Sequence, residues 1–172
     1  MSKRSLVVAT ISLMCLVIAA CGYRFSGAGT LPKGVKRIFV NLFENRTAEV
    51  GLENRITNDV ISEFVIKRKD TLVTQSEADA ILKGTIVSLR KDAISRTGAG
   101  EVQERRVEVV VNVSLVDPSG KTIWSAQGVS AAEAYAAGGI EDSTSGSGRS
   151  GALTDLSKRI AEKIYNRLTE DF

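Results

Sequence analysis

The sequence predicts an α+β sandwich with two helices on one face of a largely antiparallel sheet. Three observations carry that prediction. Val107, Val109, Val111, Val113 and Leu115 alternate with Arg106, Glu108, Asn112 and Ser114, the period of a half-buried strand. Leu52, Ile56, Val60 and Phe64 recur every fourth residue, and Leu153, Leu156, Ile160, Ile164 and Leu168 share a second helical face. The order strand, helix, strands, helix then sets both helices on one side of the sheet.

The chain opens with Lys3 and Arg4, an apolar run from Leu6 to Ile18, and Ala19-Ala20 ahead of Cys21. A basic start, a short apolar core and small residues form a secretory signal. The run is too short for a bilayer span, which takes roughly 20 residues. With Cys21 directly after Ala20, the arrangement resembles a bacterial lipobox, in which Cys21 is acylated and becomes the first mature residue. Cys15 follows the bulky Met14 and leaves with the signal. The expected organisation is 1–20 signal peptide, 21–36 lipidated N-terminus and tether, and 37–172 one domain. Gly22, not Asp, follows Cys21, a pattern that resembles outer-membrane delivery.

Composition narrows the function classes. Once Lys3 and Arg4 depart, 21 of the 23 basic side chains face 20 acidic ones, so the mature chain carries no strong field for nucleic acid. With Cys15 lost and Cys21 acylated, no disulfide can form. There is no histidine, which removes the commonest general base and metal ligand together. No cofactor or metal is expected.

Within the mature chain, Gly27, Gly29, Pro32 and Gly34 interrupt a stretch without apolar period, an extended tether. Residues 37–43 are β-branched and aromatic, a strand, and Glu44-Asn45-Arg46-Thr47 turns the chain. The helix expected over 50–67 has Ile61 and Val65 widening its stripe, Glu49 and Glu53 in its first turn and Lys67, Arg68 and Lys69 at its end. Leu72-Val73 forms a short strand. Long strands follow over 81–96, 101–116 and 122–135, reversed at Gly98 and Gly100 and at Asp117-Pro118-Ser119-Gly120-Lys121. At about 3.3 Å per residue the first hairpin reaches roughly 50 Å, so its tip, 96–101, projects beyond the core. Gly138-Gly139 and residues 143–151 make a Gly/Ser-rich loop before the last helix.

Several motifs fail their context. Gly146-Ser147-Gly148-Arg149-Ser150-Gly151 matches GxGxxG, yet no strand precedes it and no acidic strand follows. Ser88-Leu89-Arg90-Lys91 matches SxxK but lies in a strand without partner motifs. Asn45-Arg46-Thr47 and Asn112-Val113-Ser114 are glycosylation sequons, irrelevant in a bacterium. Asp79 with Asp92, or Glu101 with Glu104, brackets no nucleophile or metal and reads as solvated surface. No catalytic constellation survives.

One site-like concentration remains: Arg90, Lys91, Arg96, Arg105 and Arg106, on the arms and tip of the long hairpin. Guanidinium donors suit phosphate oxygens, and lipid A is the abundant phosphorylated ligand on that side of an outer membrane. Such residues equally serve to keep sheet edges from aggregating. Both readings stand at this point.

Taken in order, Cys21-Gly22-Tyr23-Arg24-Phe25, Leu31-Pro32-Lys33-Gly34-Val35, Phe43-Glu44-Asn45-Arg46-Thr47, Gly51-Leu52-Glu53 with Thr57, Ala78-Asp79-Ala80-Ile81-Leu82-Lys83-Gly84 and Asp117-Pro118-Ser119-Gly120-Lys121-Thr122-Ile123-Trp124 resemble the lipopolysaccharide-assembly lipoprotein family LptE. The resemblance spans essentially the whole mature chain. It implies two helices on a mostly antiparallel four-stranded sheet. It also implies a non-enzymatic outer-membrane lipoprotein on the periplasmic side, which plugs the β-barrel LptD, helps it fold and contacts lipopolysaccharide. In the family a basic residue near the hairpin tip is implicated in that contact, and Arg96 matches its position. A second basic position, in the loop after the last strand, has no counterpart, since 136–140 carries no Lys or Arg. The alternative is an outer-membrane lipoprotein that activates peptidoglycan synthases. Those proteins share the strand, F-x-N-x-T loop and helix opening of 38–64, but the tether here is short for their span of the periplasm.

Overall fold

The computed structural model describes residues 30–96, 98, 102–136 and 142–170. Cys21 and the signal, the reversal at Gly100, Gly138-Gly139, and all of 136–140 but Ala136 lie outside the described residues. Five strands, β1 (Ile38–Val40), β2 (Glu44–Asn45), β3 (Ala80–Arg96), β4 (Val102–Val116) and β5 (Thr122–Ala136), form one sheet in the order β1-β3-β4-β5, with β2 also paired to β3. Two long helices cover one of its faces.

The strand expected over 37–43 divides in two. β1 (Ile38–Val40) and β2 (Glu44–Asn45) both run parallel to β3 (Ala80–Arg96), with Ile38 opposite Ala80 and Glu44 opposite Thr85. Between them the chain dips so that Phe43, 2% exposed, fills the space that Gly84 leaves on β3. The backbone ladder survives the dip: the Asn41 and Arg46 amides donate to the Leu82 and Ile86 carbonyls, each at 3.0 Å. Leu72-Val73 is not a strand. Leu72 makes a single bridge to Ile38, and the Val73 amide donates to the Ile38 carbonyl.

Helix α1 (Leu52–Arg68) starts after Gly51, whose φ of 84° is one that glycine adopts without strain. Leu52, Ile56, Val60 and Phe64 are buried as the four-residue spacing requires. Ile61 packs against that core, but Val65 stays 45% exposed, because one residue turns the helix by about 100° away from Phe64.

β3, β4 (Val102–Val116) and β5 (Thr122–Ala136) form the antiparallel meander. Val107, Val109, Val111, Val113 and Leu115 are all buried, so the period-two reading holds. The Asp117 carboxylate accepts from the Ser119 and Lys121 amides and closes the second turn. The ladders shift register at five points among the described residues, two of them at Gly128 and Val87. On β5 the Gly128 amide (φ 66°) donates to the Asn112 side-chain carbonyl at 2.9 Å. On β3, Val87 is the extra residue between Ile86 and Ser88.

Helix α2 (Asp142–Glu170) takes in residues 143–151, which the composition assigns to a loop. Glycine and serine are poor helix formers, roughly 0.5–1 kcal/mol each below alanine, and tertiary contacts outweigh that preference here. Leu153, Leu156, Ile160, Ile164 and Leu168 are buried, and Tyr165 meets Phe64 edge-on with ring centroids 5.1 Å apart. Leu31 and Pro32 are buried as well, so packing begins inside the segment read as tether.

Candidate functional site: the distal hairpin and the corner at Asn45

At about 3.3 Å per residue the 17-residue β3 reaches roughly 55 Å, while the 17-residue α1 covers about 25 Å. Burial stops accordingly. On β4 the last buried side chain toward the tip is Val107, and 103–106 are exposed; on β3, 90–94 are exposed. The arms of the hairpin therefore extend past the core as a charged ribbon.

The bulge at Val87 decides which basic residues share a face. Ahead of it Ala80, Leu82, Gly84 and Ile86 face the helices; after it Leu89, Lys91 and Ala93 do, opposite Val109, Val107 and Arg105. Arg90 and Arg106 thus lie on the helix-free face, and Lys91 and Arg105 on the other. The five basic positions do not converge. Arg90 stands directly opposite Glu108, and Arg106 opposite Asp92, so each arginine has a carboxylate residue across the ladder. Arg96 stands opposite Val102.

On the helix side the ribbon meets a corner built by Asn45. The Asn45 carbonyl oxygen accepts from the Thr47 amide at 2.9 Å and hydroxyl at 2.8 Å. Its amide group donates to the Glu49 carbonyl at 2.7 Å and to the Glu53 carboxylate at 2.8 Å. The N–H groups that open α1, first among them that of Glu53 itself, and then Asn45 hold the Glu53 carboxyl below its ordinary range. One layer down, the Phe43 amide donates to the Thr57 hydroxyl at 3.0 Å. Phe43, Asn45 and Thr47 of the F-x-N-x-T pattern are thus a ring in the core, a corner clamp and the donor that clamp accepts from.

The corner delivers Glu49 to two cations. Its carboxylate is bonded by the Arg149 guanidinium of α2 and lies 3.5 Å from the Lys91 ammonium of β3. Thr47, Ala48, Glu49, Leu89 and Lys91 line a cavity of about 240 Å³ beside this junction. Glu49 and Arg149 escaped the sequence reading. One was read as a helix-dipole charge and the other sat inside a GxGxxG match, and only the helical course of 143–151 brings Arg149 to Glu49. Among the described residues, no group of three or more metal-ligating side chains forms.

Where the sequence drew carboxylate pairs, the structure shows other partners. Asp79 takes the Arg37 guanidinium at 3.0 Å and the Arg37 amide at 2.9 Å, which together hold its carboxyl below the usual carboxylate range. Both sequons also have structural work, Asn45 at the corner and Asn112 at the β5 bulge.

Comparison with known proteins places this architecture. No curated protein matches the chain. Among solved structures, rare lipoprotein B of Shewanella oneidensis superposes with a TM-score of 0.55 at 14% identity, over 76% of this chain and 95% of that one. Lipoprotein B of Nitrosomonas europaea gives 0.54 at 18% identity, over 78% and 83%. A minor lipoprotein of Acinetobacter baumannii gives 0.52 at 14%, over 80% and 93%. These likenesses establish a shared fold. The family model for lipopolysaccharide assembly, LptE, matches residues 35–168, from the approach to β1 to the last turns of α2. That match takes in every strand, the corner and both helices, and on it the chain belongs to the LptE family.

Proposed function

We propose that the chain is an outer-membrane lipoprotein, acylated at Cys21 and held on the periplasmic side, that plugs an LptD-like β-barrel, helps that barrel assemble and assists lipopolysaccharide toward the cell surface. It acts by shape and charge and not as an enzyme. Family membership over 35–168 is the observation that carries this reading. The ribbon beyond Val107 supports it, since a narrow arm with charge of both signs suits a polar barrel lumen.

Contact with lipid A phosphates is the finer part of the proposal. A phosphate at Arg90 or Arg106 would have Glu108 or Asp92 beside it across the ladder. Lys91 is engaged by Glu49, and Arg105 faces the helix side. Arg96 is assigned the first contact by its place before the hairpin turn, the position the family resemblance implies, with Arg90 and Arg106 following.

Extraction in mild detergent tests the plug: the protein should copurify with a barrel several times its mass, and recovery as a lone monomer would sink the reading. Lipid contact is tested separately, by lipopolysaccharide capture on Arg96→Glu and Arg105→Glu variants. Arg96→Glu should lose more binding; equal losses would refute the ranking.

A further inference from the structure

A second surface lies at the opposite end of the domain from the hairpin tip. The topology gathers there the 3₁₀ turn Pro32–Gly34, the entry to β1 at Lys36-Arg37, the last turn of α1 and the turn Lys69–Thr71, which are tied together by the bridge between Ile38 and Leu72. Ile66 is 78% exposed in that last helical turn and Val65 is 45% exposed. Lys33, Lys36 and Lys69 are exposed at the same end of the domain, and their side chains make no ion pair among the described residues. Nearby carboxylates are engaged: Asp79 by Arg37, Glu63 by Lys67 at 2.8 Å and Glu77 by the Thr74 hydroxyl at 2.7 Å. Among the described residues Asp70 is exposed, as is Glu162, whose charge acts on Lys67.

We infer that this end docks on the anionic phospholipid surface of the bilayer that holds the acyl chain, with Ile66 among the headgroups and Lys33, Lys36 and Lys69 on lipid phosphates. The inference rests on acylation at Cys21. Chain length selects the end. Eight residues lie between Cys21 and Thr30, and the nine steps fully extended reach about 30 Å. The far end of β3 lies roughly 50 Å from Ala80, beyond that reach. An exposed aliphatic side chain flanked by lysines that can snorkel is the chemistry of an interfacial contact. Lysines near an anionic surface add to that attraction.

The test uses the full mature lipoprotein, whose Cys21 is consumed by acylation and which has no other thiol, in vesicles of phosphatidylcholine with or without phosphatidylglycerol. A fluorophore is placed by Ile66→Cys or, at the other end, by Ile94→Cys, and brominated lipids serve as the quencher. Ile66 is exposed, so the label leaves the core intact. The label at 66 should lose most of its emission in anionic vesicles, the label at 94 almost none. Combining Lys33→Glu, Lys36→Glu and Lys69→Glu should abolish the loss at 66. Intact mass read on the same sample separates the two ways to fail. A bare Cys21 overturns the anchoring and this inference with it. An acylated chain whose label at 66 stays bright, or is quenched equally at 94, in neutral vesicles or after charge reversal, overturns this inference alone.

Discussion

Gly84→Ala is the substitution whose outcome the packing determines most sharply. A Cβ at Gly84 would stand 2.3 Å from two atoms of the Phe43 ring and 2.6 Å from a third, where carbon atoms in contact keep about 3.5–4.0 Å. Neither side yields easily. Gly84 is paired with Val113 on β4, and its neighbour Thr85 with Glu44 on β2, so β3 is held from both edges. Phe43 is held by the bond from its amide to Thr57. Overpacking of this kind costs typically about 1–3 kcal/mol, and full expulsion of a buried phenylalanine about 3–5. The variant should lose about 3 kcal/mol, or roughly 10 °C in Tm for a domain of this size. Urea unfolding followed by Trp124, the one tryptophan, measures the loss. Phe43→Ala alone should cost a similar amount. The double variant should cost clearly less than the sum, because the cavity at 43 accepts the new methyl group. A cycle that closes additively, within about 0.5 kcal/mol, would refute the claim that Gly84 exists to admit Phe43.

Three further outcomes follow from the same geometry. Glu49→Gln should raise amide hydrogen exchange at 149–154 while costing about 1 kcal/mol or less overall, since Glu49, Arg149 and Lys91 are only partly buried; unchanged exchange would show that the ion pair does not hold the start of α2. The Arg37 guanidinium and the amides of Arg37 and Lys36 depress the Asp79 carboxyl in the folded chain, so its stabilisation is complete above its ordinary value and is lost as pH falls through the folded one. Urea midpoints should therefore drop below about pH 4, and Asp79→Asn should flatten that slope; an identical slope would remove Asp79 from the account. Lys163 donates to the Ser130 carbonyl at 2.7 Å and Arg167 to that of Gln127 at 3.4 Å, which blunts the outer edge of β5. Lys163→Ala with Arg167→Ala should promote self-association on size-exclusion chromatography, and a strictly monomeric double variant would show that the edge needs no such cover.

Periodicity revealed the three long strands and both helix faces because those elements bury one side along most of their length, and burial writes period two or four into the sequence. Where position depends on a partner, the sequence was silent. Residues 143–151 look like a loop because Gly and Ser carry no preference for helix; their course is set by Arg149 against Glu49 and by the long apolar stripe that follows them. The break between β1 and β2 was hidden because Leu42 and Phe43 continue the apolar run, and only Gly84, some forty residues later, explains the dip.

The bulge at Val87 has the largest consequence for the site. Counting by twos from Ile86 puts Ser88, Arg90 and Asp92 on the helix side, and the extra residue exchanges them for Leu89, Lys91 and Ala93. That exchange brings Lys91 to Glu49 and leaves Arg90 beside Glu108 on the helix-free face. The hairpin is thereby joined to the rest of the domain at one polar junction. Asn45 sets the corner, Glu49 reaches Lys91 on the ribbon, and the same carboxylate engages the intrinsically weak first turns of α2. A ligand or lumen wall that draws Lys91 away changes what Glu49 can offer Arg149, and residues 142–151 have little helix preference of their own to resist that change. The distal arm and the start of the last helix thus share one carboxylate, Glu49, as ion-pair partner.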